Sequence, residues 1–211
     1  MASPARTQRL RGWARSLALV SFFGVWGVAL LLIGSILMGA HWIGLPAPAH
    51  DDARLASALA GLNAPGDERW QLTHVLYAEC RCSARIFDYL CARPTPRGAG
   101  ERVLLVGRRE EWVARARAHG IDVRVVTAEE LKSRFDVESA PLLLVSDPRG
   151  AIRYVGGYTE QKQGLDYRDV AVLASLRSGQ AVDELPVYGC GVSPELQRQL
   201  DPIGIEYPRP R

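Results

Sequence analysis

Lysine is almost missing from this 211-residue chain: Lys132 and Lys162 are the only two among 26 basic residues. We read that scarcity as base composition and attach no function to it. Neither sign of charge dominates. The 26 Lys and Arg face 23 Asp and Glu, a net of +3, which is too small to mark a nucleic-acid binder. No internal repeat stands out, and 47% hydrophobic residues exclude a disordered or collagen-like chain. Four cysteines are too few for a small disulfide-framework fold. No segment reads as a phosphate-binding loop, a Ser/His/Asp set or a zinc site. No histidine follows His119.

What the chain does have is one long apolar run. Ser16 to Ala40 holds no charged residue over 25 positions, and a helix needs roughly 20 to cross the hydrocarbon core of a bilayer. Arg6, Arg9, Arg11 and Arg15 precede it with no acid between them, and Asp51 and Asp52 follow. Basic residues flanking a span favour the cytoplasmic side. The expectation is a cytoplasmic tail over 1–15, a membrane helix over 16–40, and the rest outside a bacterial inner membrane. Ala47-Pro48-Ala49 has the form of a signal-peptide processing site. Signal h-regions run about 7–15 residues, however, so an uncleaved anchor is the expectation. Past residue 40, 22 basic residues face 23 acidic ones, so the +3 belongs to the N-terminal tail.

Residues 41–64 read as a linker and a short Ala/Leu-rich helix, Asp51 to Leu62, closed by Asn63-Ala64-Pro65-Gly66. Beyond them strands and helices alternate. Strands are expected at 71–79, 102–107, 121–127, 141–146 and 151–156, the last two joined by the turn Asp147-Pro148-Arg149-Gly150. Helices are expected at 83–91, 109–119, 128–135 and 167–176. This order implies an α/β domain with a largely parallel sheet, helices on both faces and an antiparallel edge. Functional groups then gather at the carboxyl ends of strands.

Cys80 and Cys82 sit at such an end, where a helix begins, with Arg81 between them. A helix N-terminus and a guanidinium both favour thiolate, the species that reacts in disulfide exchange. The pair can close only a small ring, and such strain makes a bridge easier to reduce. In an exported domain, redox use ranks ahead of metal ligation.

The segment Tyr77-Ala78-Glu79-Cys80-Arg81-Cys82-Ser83-Ala84-Arg85 resembles the active-site stretch of thioredoxin-like proteins. Ala140-Pro141, leading into Leu142-Leu143-Leu144-Val145, resembles the cis-proline and strand that face the cysteines in that fold. The hairpin over 145–154 resembles that of the membrane-anchored periplasmic branch and of peroxiredoxins. The resemblance spans about residues 65–178 and leaves 179–211, with Cys190, as a C-terminal extension. It implies a thioredoxin-like mixed sheet and thiol–disulfide exchange on exported proteins, with a membrane redox partner recharging the pair. Cys80, which ends the strand and is expected to be the more exposed of the two, would attack, Cys82 resolve and Pro141 hold a substrate strand. The family pattern is Cys-x-x-Cys, so this chain is one residue short. No cofactor is implied.

Cys91 lies nine residues after Cys82, about 13 Å along a continuous helix, too far for a bridge. Pairing 80–82 with 91–190 is then the easiest connectivity, while Cys91 also reads as a buried small hydrophobe. Cys190 lies between Gly189 and Gly191, ahead of a short helix capped by Ser193 and opened by Pro194. It either staples the tail to Cys91 or serves as a further redox thiol. Glu79 is a local acid that can accept a proton, and His74 reads as a core histidine. Two other readings stand beside exchange. One is a Cu(I) carrier built on Cys80 and Cys82, although the copper-delivery relatives add a late histidine that this chain lacks. The other is a non-catalytic interaction module.

Overall fold

The computed structural model describes residues 4–42, 44–202, 204 and 207, and divides the chain into two units, Met1–Ile43 and Gly44–Arg211. The first is one helix, α1 (Pro4–Trp42). Its stretch Ser16–Ile36 is long and apolar enough to cross a membrane, and Phe22, Val25, Trp26, Leu31 and Ile36 are all exposed along it.

The second unit runs α2 (Ala53–Ala60), β1 (Trp70–Tyr77), α3 (Arg81–Ala92), β2 (Ala99–Val106), α4 (Glu110–Ala118) and β3 (Asp122–Val126). It continues with α5 (Ala128–Phe135), β4 (Ser139–Ala140), β5 (Leu142–Ser146), β6 (Ile152–Gly156), α6 (Asp169–Arg177), β7 (Cys190–Gly191) and α7 (Pro194–Leu200). The five-stranded sheet has the order β3-β2-β1-β5-β6. β1, β2 and β3 are parallel, β5 is antiparallel to β1, and β6, antiparallel to β5, again runs in the direction of β1. The hairpin is thus half of the sheet's asymmetry and not merely its edge, because β5 pairs directly with central β1.

Side chains alternate across a strand, and here both faces are apolar. Leu72 and Leu76 of β1, Val103 and Leu105 of β2, and Leu143 and Val145 of β5 face α3, α4 and α6. Val75, Leu104, Val106, Leu142 and Leu144 face α2 and α5. Helix α3 meets its face through Ile86, Phe87, Leu90 and Cys91, a spacing that gathers them on one stripe. Helix ends follow their caps: Asp52 accepts from the Arg54 amide of α2, Thr127 from Glu130 of α5, and Ser193 from Leu196 of α7. The β5–β6 turn closes because Asp147 Oδ1 accepts from the Arg149 and Ala151 amides, with Gly150 at φ +81°.

One polar group sits wholly inside the α3/α6 face. His74 is fully buried, as expected of a core histidine, with Nε2 2.9 Å from Glu101 and Nδ1 2.8 Å from the Tyr158 hydroxyl. Arg93 bridges Glu101 and Asp169, and Tyr89 donates to Asp169 at 2.8 Å. Burial acts to raise the Glu101 carboxyl, but His74 and Arg93 outweigh it and hold the group below its ordinary value.

Candidate functional site

The site forms where β1 ends. Tyr77 closes the strand, the Cys80 amide donates to Tyr77 O at 3.0 Å, and Cys80 becomes the N-cap of α3. The turn is fixed from inside, since the Tyr77 amide donates to the fully buried Ser83 hydroxyl at 3.0 Å. Arg109 adds a hydrogen bond to Ala78 O at 3.2 Å. Opposite lies β4, ending at a cis Ala140–Pro141 bond, the isomer the resemblance implies. Cys80 Sγ is 3.9 Å from Ala140 O.

The tail supplies the third side. β7 pairs antiparallel with β4, setting Gly191 opposite Ser139 and Cys190 opposite Ala140. In that register Cys190 and Cys80 form a disulfide, with Cα atoms 6.1 Å apart across a sequence separation of 110. Gly189 is required here, because a Cβ would fall 2.0 Å from Ala140 O and 2.5 Å from Pro141 Cδ. The tail is pinned on both sides of the bond. Leu45 N donates to Val187 O at 2.8 Å before it, and Val192 N donates to Glu138 O at 2.7 Å after it. The Ser193 hydroxyl also donates to the Glu138 carboxylate, to which Lys132 Nζ lies 3.1 Å away. Hydrogen bonding from Ser193, then Lys132, holds Glu138 below its ordinary value against a smaller opposing effect of burial.

These positions correct three expectations. Cys80 does not pair with Cys82. Cys82 stands in the first turn of α3 two residues on, and side chains at that spacing do not face each other. Joining them would require unwinding the turn in which Ala84 N donates to Cys80 O at 3.0 Å. Cys190 likewise does not staple the tail to Cys91. Cys82 and Cys91 are both free, Cys91 being 6% exposed within the α3 core stripe, where burial pushes its thiol up. Nor is Cys80 the more exposed partner at the strand end: it is 2% exposed because the tail covers it, while Cys190 and Cys82 are partly exposed.

Of the other residues singled out, Pro141 is buried beside the disulfide, and Glu79 and Arg81 are exposed. Glu79 accepts from the Tyr77 hydroxyl at 3.0 Å. Among the described residues no three His, Cys, Asp or Glu side chains gather to hold a metal ion. With Cys80 bonded to Cys190, the Cys80/Cys82 pair offers one free thiol. The features hardest to find in sequence are β4 and β7, since two-residue strands carry no periodicity. The available signal was the pair of glycines flanking Cys190, which mark a close backbone approach.

With this geometry in place, the fold class is thioredoxin-like: a mixed sheet with helices on both faces and a cis-proline opposite a cysteine at a strand–helix junction. No family model matches the chain, and no curated protein matches it in sequence. A solved structure of a hypothetical protein from Sinorhizobium meliloti 1021 is similar at 15% identity, covering 60% of this chain and 80% of its own, with a TM-score of 0.50. The thioredoxin domain of a thiol-disulfide oxidoreductase from Bacteroides vulgatus is similar at 15% identity over 52% of this chain and 80% of its own, with a TM-score of 0.38. StoA from Bacillus subtilis is similar at 13% identity over 43% and 75%, with a TM-score of 0.33. The first likeness is one of fold, and the two lower scores add no weight to it.

Proposed function

We propose that this chain exchanges thiols and disulfides with exported proteins, using Cys80 as its central sulfur and Cys190 as the cysteine bonded to it. The observation that carries this is the placement of Cys80: N-cap of a 12-residue helix, opposite Pro141, and already in a disulfide. A thiolate at a helix N-cap faces the unpaired amides and the positive end of the helix dipole, which favours the charged form and makes it a good leaving group. In the reduced protein one thiolate attacks a partner disulfide and releases a partner thiolate. The second protein thiolate then displaces the partner, so two electrons pass from the dithiol to the partner and the Cys80–Cys190 bond forms. Run backwards, the same steps oxidise a partner dithiol.

The apolar stretch of α1 and the four arginines before it support a single-pass anchor, with the domain on the outer side of a bacterial inner membrane and a membrane partner resetting the pair. A second reading is favoured by one observation, the burial of Cys80. In it the disulfide only staples the tail, and the fold acts as an interaction module. Turnover of a model protein disulfide with a dithiol reductant separates the two. Exchange predicts that Cys80→Ser abolishes turnover while the variant still binds partners; a variant as fast as the parent leaves only the stapled module.

A further inference from the structure

We infer that Cys190, carried on the tail, is the sulfur that partner thiols attack first, and that Cys80 is the buried leaving group behind it. This rests on the exchange reading above and assigns the order of events within it. The two sulfurs of the disulfide are not equivalent. Cys80 is 2% exposed, enclosed by the end of β1, by β4 and by the tail itself, whereas Cys190 is partly exposed. Exchange requires an incoming thiolate to reach one of the two sulfurs, and access helps decide which is attacked. Leaving-group quality points the same way, because electrons expelled onto Cys80 settle at the N-cap of α3, where no side-chain hydrogen bond caps the helix in the disulfide form.

A partner thiolate attacks Cys190 Sγ, a new S–S bond joins partner and tail, the Cys80–Cys190 bond breaks, and its electron pair leaves on Cys80. A second partner thiol then attacks the partner's own sulfur in the mixed disulfide. Cys190 departs as thiolate, the partner leaves oxidised, and both protein thiols are reduced.

The tail is built for this role. It is held from Val187 on one side and from Val192, Ser193 and α7 on the other, so Cys190 stays tethered beside Cys80 after the bond breaks. Between these anchors the β4–β7 register and the close approach of Gly189 to Ala140 and Pro141 seat the strand. Gly191 is held from the tail's own side, donating to the Tyr207 hydroxyl at 2.9 Å and accepting from Gln197 Nε2 at 2.9 Å. Cys82, in contrast, belongs to an intact helical turn and takes no part in the observed bond.

The test uses the oxidised full chain in detergent, reduced glutathione as the probe, an acid quench after brief mixing, alkylation of free thiols and peptide mapping. The expected result is glutathione on the Cys190 peptide in at least about tenfold excess over Cys80, with the alkyl group on Cys80. Glutathione on Cys80 or Cys82 overturns this order while leaving exchange in place. A disulfide that does not react overturns exchange itself. Gly189→Ala, which removes no sulfur, is expected to unseat the strand and abolish the preference. A preference unchanged in that variant overturns the role given to the tail.

Discussion

Strand β1 carries two long-range links of opposite character. In its middle, His74 enters a buried cluster with Glu101, Arg93, Asp169, Tyr89 and Tyr158. Just past its end, Cys80 is tied to Cys190. The first link joins β1, β2, α3 and α6 through carboxylates fully out of water, so removing their cation strands charge in the core. The second joins the sheet to a tail by a bond that thiols can open, and that tail is seated by a two-residue strand and two flanking anchors. On the exchange reading proposed above, the permanent fastening lies deep in one face and the releasable one at the rim. Only the second has the chemistry of a cycle.

The sharpest way to break the permanent side is Arg93→Met. It leaves Asp169 and Glu101 buried without their shared cation, and stability to urea should fall by about 3–5 kcal/mol, equally with and without reductant. Reducing the disulfide should cost less, about 2–4 kcal/mol. Hydrogen exchange should show that loss in residues 187–192 while the amides around His74 and Glu101 stay protected. Equal loss of protection in both places would erase the contrast. Smaller again is Ser193→Ala, which removes the cap of α7 and a hydrogen bond to Glu138. A loss of about 1 kcal/mol confined to the tail should speed alkylation of reduced Cys80 roughly fivefold.

The mildest lever is pH. Glu138 is held below its ordinary value, so its contacts contribute fully above about pH 4.3 and are lost as pH falls through the lower, folded value. Lys132 faces it from α5 and Ser193 from the tail, with Glu195 of α7 3.9 Å from the same Lys132 nitrogen. Tail opening, read by Cys80 alkylation after correction for thiol ionisation, should rise below that pH, and Glu138→Gln should flatten the dependence. Glu101 shifts in the same direction, so overall unfolding also rises in acid, and only the local readout separates the two regions.

Much of this architecture was legible in the sequence because it repeats. Partly alternating apolar residues located β1, and short continuous apolar runs located β2 and β5; Ser193-Pro194 located α7; Asp147 to Gly150 located the hairpin turn. Pro141 was legible through resemblance, and His74 through its apolar neighbours. The cysteine pairing was not, for a physical reason. Proximity in sequence put Cys80 beside Cys82, but an N-cap residue and the second residue of the helix look in different directions. What brings Cys190 to Cys80 is the meeting of Ser139–Ala140 with Cys190–Gly191, two pairs of residues with no pattern of their own. That contact depends on Gly189 lacking a Cβ and on anchors at Val187 and Val192, which become visible only once the sheet is folded.

The central claim is that the Cys80–Cys190 bond is a working disulfide, and the direct measurement is its reduction potential in the full chain, by equilibration with glutathione or dithiothreitol buffers. Exchange requires a value between about −120 and −270 mV, the span of exchange proteins. A value below about −300 mV, where structural bonds lie, would contradict it.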